Sequence, residues 1–301
     1  MQITPAMLDN LELIARQVVE GFIIGLHKSP FHGFSVEFAE HRLYNAGDPL
    51  RYIDWRVYGR TDKMFIKRFE EETNLRCTIA IDTSSSMFFP KDKARMSKEQ
   101  FSVLCAAAIM QLLKRQLDAA GLAFFDAGLR ELIAARSAPT HYRNLIRRLE
   151  NLLAEEDVQG RPTNAAAALH TIADSIHRRS LVVIFSDMLD DAADAENLLS
   201  ALQHLKYNKH EVILFHVMDK AQEVDFSFEQ RPYEFVGMEN GERIRLQPQQ
   251  IREQYIKGMS AFRKLIEDKC HQYGIDRVEV DLTDDVNKVL HAFLLKRQRM
   301  Q

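Results

Sequence analysis

Three oxygen-bearing side chains stand at alternate positions directly after a short apolar run at residues 77–81. They are Asp82, Ser84 and Ser86. Alternate residues of an extended chain point to the same side, so this carboxylate and these two hydroxyls can converge on one cation. Such a set suits Mg²⁺ or Mn²⁺ rather than zinc, which prefers nitrogen and sulfur ligands. Asp and Ser at this place also cap helices, so the spacing alone leaves both interpretations open.

The composition predicts a folded protein with a packed core. The chain has 301 residues, of which 46% are hydrophobic, and its net charge is −3. That charge argues against a surface built entirely for nucleic acid. Cys77, Cys105 and Cys270 are widely spaced in apolar patterns, which is typical of reduced core thiols. The N-terminus has no signal-peptide pattern, and the amphipathic stretch at residues 8–24 is too charged to span a bilayer. We therefore expect a soluble, cytoplasmic protein.

The elements that would position these side chains follow from the hydrophobic pattern of residues 77–300. Short apolar runs alternate with apolar residues spaced by three and four, as strands alternate with helices in an α/β fold. This pattern predicts a doubly wound, mostly parallel sheet with helices on both faces. The predicted strands are residues 77–81, 122–125, 131–135, 181–185, 212–217 and 278–282. The predicted helices contain residues 101–113, 145–153, 165–176, 198–205, 251–266 and 286–294.

Two segments depart from this alternation and suggest how the chain is divided. Residues 26–76 are polar, aromatic and charged, which suggests a separate irregular or β-rich element. Asn240-Gly241 between two short apolar runs predicts a hairpin near residues 230–247. We therefore expect an N-terminal helix and small element over residues 1–75, followed by an α/β domain over residues 76–301.

Two later residues are expected at the same edge of the sheet as Asp82. Asp187 follows the strand at residues 181–185, and Thr163 precedes the Ala-rich helix at residues 165–176. Ligands of open parallel sheets bind beyond the carboxyl ends of the strands where the strand order reverses. Asp82 and Asp187 face one cleft if their strands are neighbours at that point. Taken alone, Asp187 fits a turn and Thr163 fits a helix N-cap.

Asp82-x-Ser84-x-Ser86, with Thr163 and Asp187 in later loops, resembles the metal-ion-dependent adhesion site of von Willebrand factor A-like domains. The resemblance implies a Mg²⁺ site in which the two serines and the threonine bind the metal. It also implies that the two aspartates act directly or through water, and that an acidic side chain of a partner protein completes the shell.

A second resemblance covers nearly the whole chain and is carried mainly by residues 38–71. That block contains Glu40-His-Arg42, Gly47-Asp48, Ile53-Asp54-Trp55 and Gly59-Arg60-Thr61. It resembles the signature of the bacterial family catalogued as domain of unknown function 58, although Gly59 stands where alanine is usual. Members of that family are associated with AAA+ ATPases of the MoxR type. The resemblance therefore implies such a partner in the chaperone-like assembly or maturation of a client protein.

The leading hypothesis is a non-enzymatic, Mg²⁺-dependent protein-binding adaptor, because the oxygen set lacks a nucleophile–base pair. A metal-dependent phosphohydrolase is an alternative, since Asp82 after a strand is a possible phosphoryl nucleophile. Against it, Ser84 stands where a second aspartate is needed, and the chain has no phosphate-binding P-loop. Nucleic-acid binding through the basic and aromatic residues 51–68 is a further alternative, weakened by the acids among them. The 38–71 block fits either a salt-bridged buttress or a docking surface for the ATPase.

Overall fold

The chain forms two compact units. In a computed structural model, one unit comprises residues 1–22 and 75–301, and the other comprises residues 23–74. The described residues are 5–28, 41–43, 58–60, 63–67, 75–92, 94–155, 160–161, 164–188, 195–239 and 241–300. Most of the 38–71 block and of the basic segment at 51–68 lies outside these ranges. The proposed roles of both segments therefore stay predictions.

Ten strands and seven α-helices are the main elements of the described residues, which also form short 3₁₀ and π turns. The strands are β1 (His41–Leu43), β2 (Phe65–Lys67), β3 (Arg76–Asp82), β4 (Ala119–Phe125), β5 (Leu129–Arg136), β6 (Leu181–Ser186), β7 (Glu211–Met218), β8 (Tyr233–Val236), β9 (Arg243–Leu246) and β10 (Asp276–Asp281). The helices are α1 (Leu11–Lys28), α2 (Lys98–Arg115), α3 (Pro139–Leu153), α4 (Ala165–Ser175), α5 (Ala195–Tyr207), α6 (Pro248–Tyr273) and α7 (Val286–Met300). None of the described helices has the length and apolarity needed to cross a membrane.

A six-stranded sheet forms the centre of the larger unit. Its strand order is β10-β7-β6-β3-β4-β5, and every neighbouring pair is parallel except β4 and β5. From β3 the chain runs outward through β4 and β5, and it then returns to β6 on the other side of β3. The strand order therefore reverses between β3 and β6, and the predicted doubly wound, mostly parallel α/β fold is confirmed.

Helices cover both faces of the sheet, which explains why its inner strands are apolar without alternation. One face packs Ala80 and Val182 against buried residues of α4, α5 and α6. Successive strand residues point to opposite faces, so Ile79, Ile81 and Val183 point the other way. Helix α2 lies against β3 and β4 and contacts α3 and α7, and all its residues from Phe101 to Leu113 are buried.

Local signals in the sequence account for the ends of several elements. Helix α2 begins with a capping box, in which the Ser97 hydroxyl accepts from Gln100 N–H and the Gln100 side chain accepts from Ser97 N–H. The side chain of Asn164 caps α4 by accepting a hydrogen bond from Ala167 N–H. The predicted hairpin is confirmed as the antiparallel pair β8 and β9.

Candidate metal centre

The carboxyl ends of β3 and β6 lie side by side and carry the first acidic residue of the candidate site. Ile81 of β3 is paired with Phe185 of β6, and the next residues along the two strands are Asp82 and Ser186. The buried Ser186 hydroxyl donates a hydrogen bond of 2.7 Å to Asp82 Oδ2. Asp187 follows directly on β6. The neighbouring strands that a shared site requires are therefore present.

The loop after β3 brings two serine hydroxyls together. Asp82 Oδ1 accepts a hydrogen bond of 2.9 Å from the Ser84 backbone N–H, which fixes a tight turn at the end of the strand. The hydroxyl oxygens of Ser84 and Ser86 lie 3.1 Å apart. Ser84 precedes a 3₁₀ turn at Ser85–Phe88, but its side chain makes no capping hydrogen bond. Helix capping by the Ser84 hydroxyl therefore does not explain this arrangement.

Thr163, the fifth predicted ligand, lies outside the described residues, and its part in the site stays a prediction. The described residues around it bond to the same edge of the sheet. Arg161 N–H donates to Ser85 Oγ over 2.8 Å, and Ser85 N–H donates to Arg161 O over 3.2 Å. Asn164 N–H donates to Asp126 O, just beyond β4, over 2.9 Å.

The Asp187 carboxylate binds a buried lysine. Lys98 Nζ donates to Asp187 Oδ2 over 2.6 Å and to Glu223 Oε1 over 2.6 Å. Lys98 is the first residue of α2, and Glu223 lies in the turn Lys220–Val224 that follows β7. Burial alone would lower the pKa of Lys98, but Asp187 and Glu223 outweigh it and raise that pKa. Lys98 therefore stays charged beside the candidate site.

The two aspartates are close enough to affect each other electrostatically. Burial, together with the charge of Asp187, raises the pKa of Asp82 to about 7, although hydrogen bonds from Ser186 and Ser84 act in the opposite direction. Both carboxyl groups are nearly inaccessible to water, with Asp82 0% and Asp187 1% exposed. Asp82 and Asp187 thus place two carboxyl groups close together at this edge, and Lys98 offsets part of their charge. A bound cation would offset more of it.

A histidine of the next strand fixes the backbone of Asp187. His216 Nε2 lies 2.9 Å from Asp187 O, and His216 Nδ1 lies 2.8 Å from a guanidinium nitrogen of Arg277. A guanidinium can only donate, so Nδ1 accepts and the proton on Nε2 is donated to Asp187 O. Burial and the neighbouring Arg277 lower the pKa of His216 to about 4. The imidazole is therefore neutral around pH 7.

The sequence analysis missed Lys98, Glu223 and His216, for which the chain gives only weak signals. His216 interrupts the apolar run of β7, where a polar residue needs a partner. Lys98 and Glu223 stand in segments with no ligand spacing, and they are 125 residues apart in the sequence. Only the fold brings them together at Asp187.

The donor set fits a hard divalent cation such as Mg²⁺ or Mn²⁺. The carboxylates of Asp82 and Asp187 and the hydroxyls of Ser84 and Ser86 all offer oxygen. Among the residues that the structure describes, no three His, Cys, Asp or Glu side chains form a group that could hold a metal. The candidate centre therefore depends on the serine hydroxyls as well as on the two carboxylates.

Comparison with known families identifies the family of this chain. A family model described as "Protein of unknown function DUF58" matches residues 40–264. The chain belongs to the DUF58 family. Uncharacterized proteins of Mycobacterium bovis and Mycobacterium tuberculosis are similar to this DUF58 protein, with 28% identity over 215 residues. The matched region is 71% of this chain and 65% of each relative, so the chain covers slightly less than two thirds of their length.

Several solved structures are similar to this DUF58 protein at low sequence identity. An aerotolerance-related membrane protein of Bacteroides fragilis is 14% identical, with a TM-score of 0.47 over 75% of this chain and 99% of that one. The conserved hypothetical protein BatB of Bacteroides thetaiotaomicron is 14% identical, with a TM-score of 0.43 over 75% and 98% of the two chains. The SpRpn10 VWA domain is 11% identical, with a TM-score of 0.39 over 72% and 93%.

Proposed function

We propose that this protein is a non-enzymatic, Mg²⁺-dependent adaptor that binds other proteins at the carboxyl edge of its sheet. The observation that carries the proposal is that four oxygen-bearing side chains follow two adjacent strands where the strand order reverses. Asp82 and Asp187 follow adjacent strands, and the hydroxyls of Ser84 and Ser86 lie 3.1 Å apart in the loop between β3 and α2. Oxygen donors with few net charges suit Mg²⁺ and leave room for a ligand from outside the chain.

Each residue of the site has a separate task in this proposal. The hydroxyls of Ser84 and Ser86, with Thr163, would hold the cation. Asp82, whose oxygens accept from Ser84 N–H and Ser186 Oγ, and Asp187 would supply its negative charge. Mg²⁺ bound there would offer a Lewis-acidic position to a carboxylate of the bound protein. Binding by such an adaptor requires no proton transfer or covalent step.

The partners are part of the same proposal and rest on the resemblance of the chain to its family. The resemblance implies a MoxR-type AAA+ ATPase as the first partner. We propose that the two proteins act in the cytoplasm on a client protein, which supplies the acidic side chain. Assembly or maturation of the client in a chaperone-like manner would be the outcome.

Calorimetric titration with MgCl₂ tests the metal site directly. The wild-type protein is expected to bind one Mg²⁺ ion, and Asp82→Ala is expected to abolish the binding heat because it removes a carboxylate from the donor set. Asp268→Ala, an exposed residue of α6, is the matched control and should bind as the wild type does. Equal heats for the wild type and Asp82→Ala would rule out the site.

Purification of the protein from its native cells, with and without a chelator, tests the adaptor role. A partner that binds through Mg²⁺ is expected to be retained in MgCl₂ and released by the chelator. Asp268→Ala should retain that partner, whereas Asp82→Ala should not. Partners that stay bound in chelator, and that bind Asp82→Ala equally well, would contradict metal-dependent recognition.

A further inference from the structure

Lys98 places a positive charge inside the candidate metal centre. Its side chain is 0% exposed, and its ammonium group donates to Asp187 and Glu223 at 2.6 Å each. Lysine is rarely buried completely, because the loss of hydration is costly unless carboxylates replace the water. The two carboxylates meet that requirement here. The Lys98 ammonium group therefore already balances the negative charge of the Asp187 carboxylate.

The second partner of Lys98 belongs to a turn that the start of α2 holds in place. Asp219 N–H donates to Glu223 Oε2 over 2.8 Å, which closes the turn Lys220–Val224 on itself. Arg95, three residues before Lys98, binds Asp219 Oδ2 over 2.6 Å. Two basic residues at one end of α2 thus hold two carboxylates at the two ends of this turn.

In this arrangement Lys98 competes with a divalent cation for the Asp187 carboxylate. Like charges repel and opposite charges attract over these distances in a buried site, where little water screens them. Lys98 therefore opposes a cation that approaches Asp187, whereas Glu223 draws the ammonium away from Asp187 and offsets its charge. The balance between Lys98 and Glu223 therefore determines how readily Asp187 can bind a cation.

We propose that Lys98 and Glu223 are positioning residues that set the affinity of the site for Mg²⁺ and link its occupancy to the turn Lys220–Val224. The inference rests on the proposed metal-dependent function and adds its regulation. Lys98, which donates to both Asp187 and Glu223, would shift its hydrogen bonding toward Glu223 if a cation occupied Asp187. The turn that carries Glu223 precedes the β8–β9 hairpin by eight residues, so occupancy of the site would be linked to the start of the segment that leads to that hairpin.

Magnesium affinities of four charge variants test the proposal by the sign of the change. Lys98→Met is expected to bind Mg²⁺ about tenfold more tightly, and Glu223→Gln about tenfold more weakly, because each removes one nearby charge. The double variant removes both charges and should stay within about threefold of the wild type. Lys114→Met, on the same helix but partly exposed, is the matched control and should not change the affinity.

Hydrogen exchange adds a measurement that does not depend on affinity. Mg²⁺ is expected to change the rate of hydrogen exchange of amides 220–224 in the wild type and to leave that rate unchanged in Lys98→Met.

Three outcomes would count against the proposal. If Lys98→Met does not fold, the affinity of Glu223→Gln alone decides, and unchanged or tighter Mg²⁺ binding by that variant overturns the proposal. Weaker binding by a folded Lys98→Met would show that the lysine is only structural. A wild type that binds no Mg²⁺ overturns the proposed function itself, and the inference with it.

Discussion

Single residues of this protein differ in how their buried charges are stabilised. Lys98 and Asp187 are both buried and satisfy each other through a hydrogen bond of 2.6 Å. Glu99, the next residue of α2, is only 3% exposed, and its Oε1 has no hydrogen-bond partner within the described ranges. Burial, reinforced by the nearby charge of Glu155, raises the pKa of Glu99 from 4.5 to about 8. Glu99 is therefore protonated at pH 7 in the folded protein.

The Glu99 carboxyl group is expected to make stability fall as the pH rises. Its pKa is about 8 in the folded state and 4.5 when unperturbed, so the unfolded chain releases the proton first. Its contribution is fully present below pH 4.5 and is lost as the pH rises toward 8. We expect Glu99→Gln to raise the free energy of unfolding at pH 8 by about 4 kcal/mol, since each pKa unit corresponds to about 1.4 kcal/mol and about half of the Glu99 side chains still carry their proton at that pH. Urea denaturation at several pH values measures this difference.

The matched control for this prediction is Glu253→Gln, which changes an exposed glutamate of α6. It should leave the pH dependence of unfolding as it is in the wild type. A Glu99→Gln variant that loses stability equally at pH 5 and pH 8 would contradict the prediction, because burial of the charge would then not be the cause.

The candidate site was predictable from the sequence only where a pattern lies within one short segment. Asp82, Ser84 and Ser86 are recognisable because their spacing matches an extended chain at the end of a strand. Contacts such as that between Lys98 and Glu223 depend on the crossing of segments 125 residues apart, and no local pattern encodes them. Long-range polar contacts are therefore the part that required the structure.

At the scale of the elements, periodicity predicted most strands and helices because each is amphipathic or continuously buried. The predicted strand at residues 131–135 is β5, which joins the sheet antiparallel to β4 as an edge strand. The irregular pairing of β4 with β5 was not predictable, because a bulge leaves no mark in the hydrophobic pattern. Its register shifts between Ala120 and Leu122, at Gly121.

Gly121 of β4 lies close to the backbone of β5, and an alanine there is expected to disturb the pairing of the two strands. A Cβ atom at Gly121 would lie 2.7 Å from Ile133 O and 2.9 Å from Ala135 N, both backbone atoms that cannot rotate away. We expect Gly121→Ala to lower the free energy of unfolding by about 1–3 kcal/mol, the usual cost of overpacking. Urea denaturation followed by circular dichroism measures the loss.

Gly128, in the turn between the same two strands, provides the matched control. A Cβ atom there would meet nothing within 4 Å, so Gly128→Ala should change the free energy of unfolding by no more than about 0.5 kcal/mol. Equal losses for the two variants would mean that loss of glycine flexibility, rather than the contact with β5, determines the effect.

At the scale of the whole molecule, the candidate centre, the turn Lys220–Val224 and the β8–β9 hairpin all belong to one compact unit. Gly160 N–H donates to Met238 O, in the tip of the hairpin, over 3.3 Å, while its neighbour Arg161 bonds to Ser85. The hairpin tip and the loop that contains Ser84 and Ser86 therefore both contact residues 160–161. We therefore expect a protein that binds at the proposed metal site to contact the hairpin tip.

A cation bound only by the folded state must also stabilise that state, which gives a test on the intact protein. We expect MgCl₂ to raise the free energy of unfolding by about 2.7 kcal/mol at one hundred times the dissociation constant, and by about 1.4 kcal/mol for each further tenfold increase.

Asp82→Ala removes a buried acid whose pKa is raised to about 7, so the stability of this variant without Mg²⁺ need not equal that of the wild type. The decisive quantity is therefore the slope of stability against the logarithm of the Mg²⁺ concentration. This slope should vanish in Asp82→Ala, persist in Asp268→Ala, and be absent with NaCl of equal ionic strength. A wild-type slope that NaCl reproduces would mean that general screening, and not a bound ion, stabilises the protein.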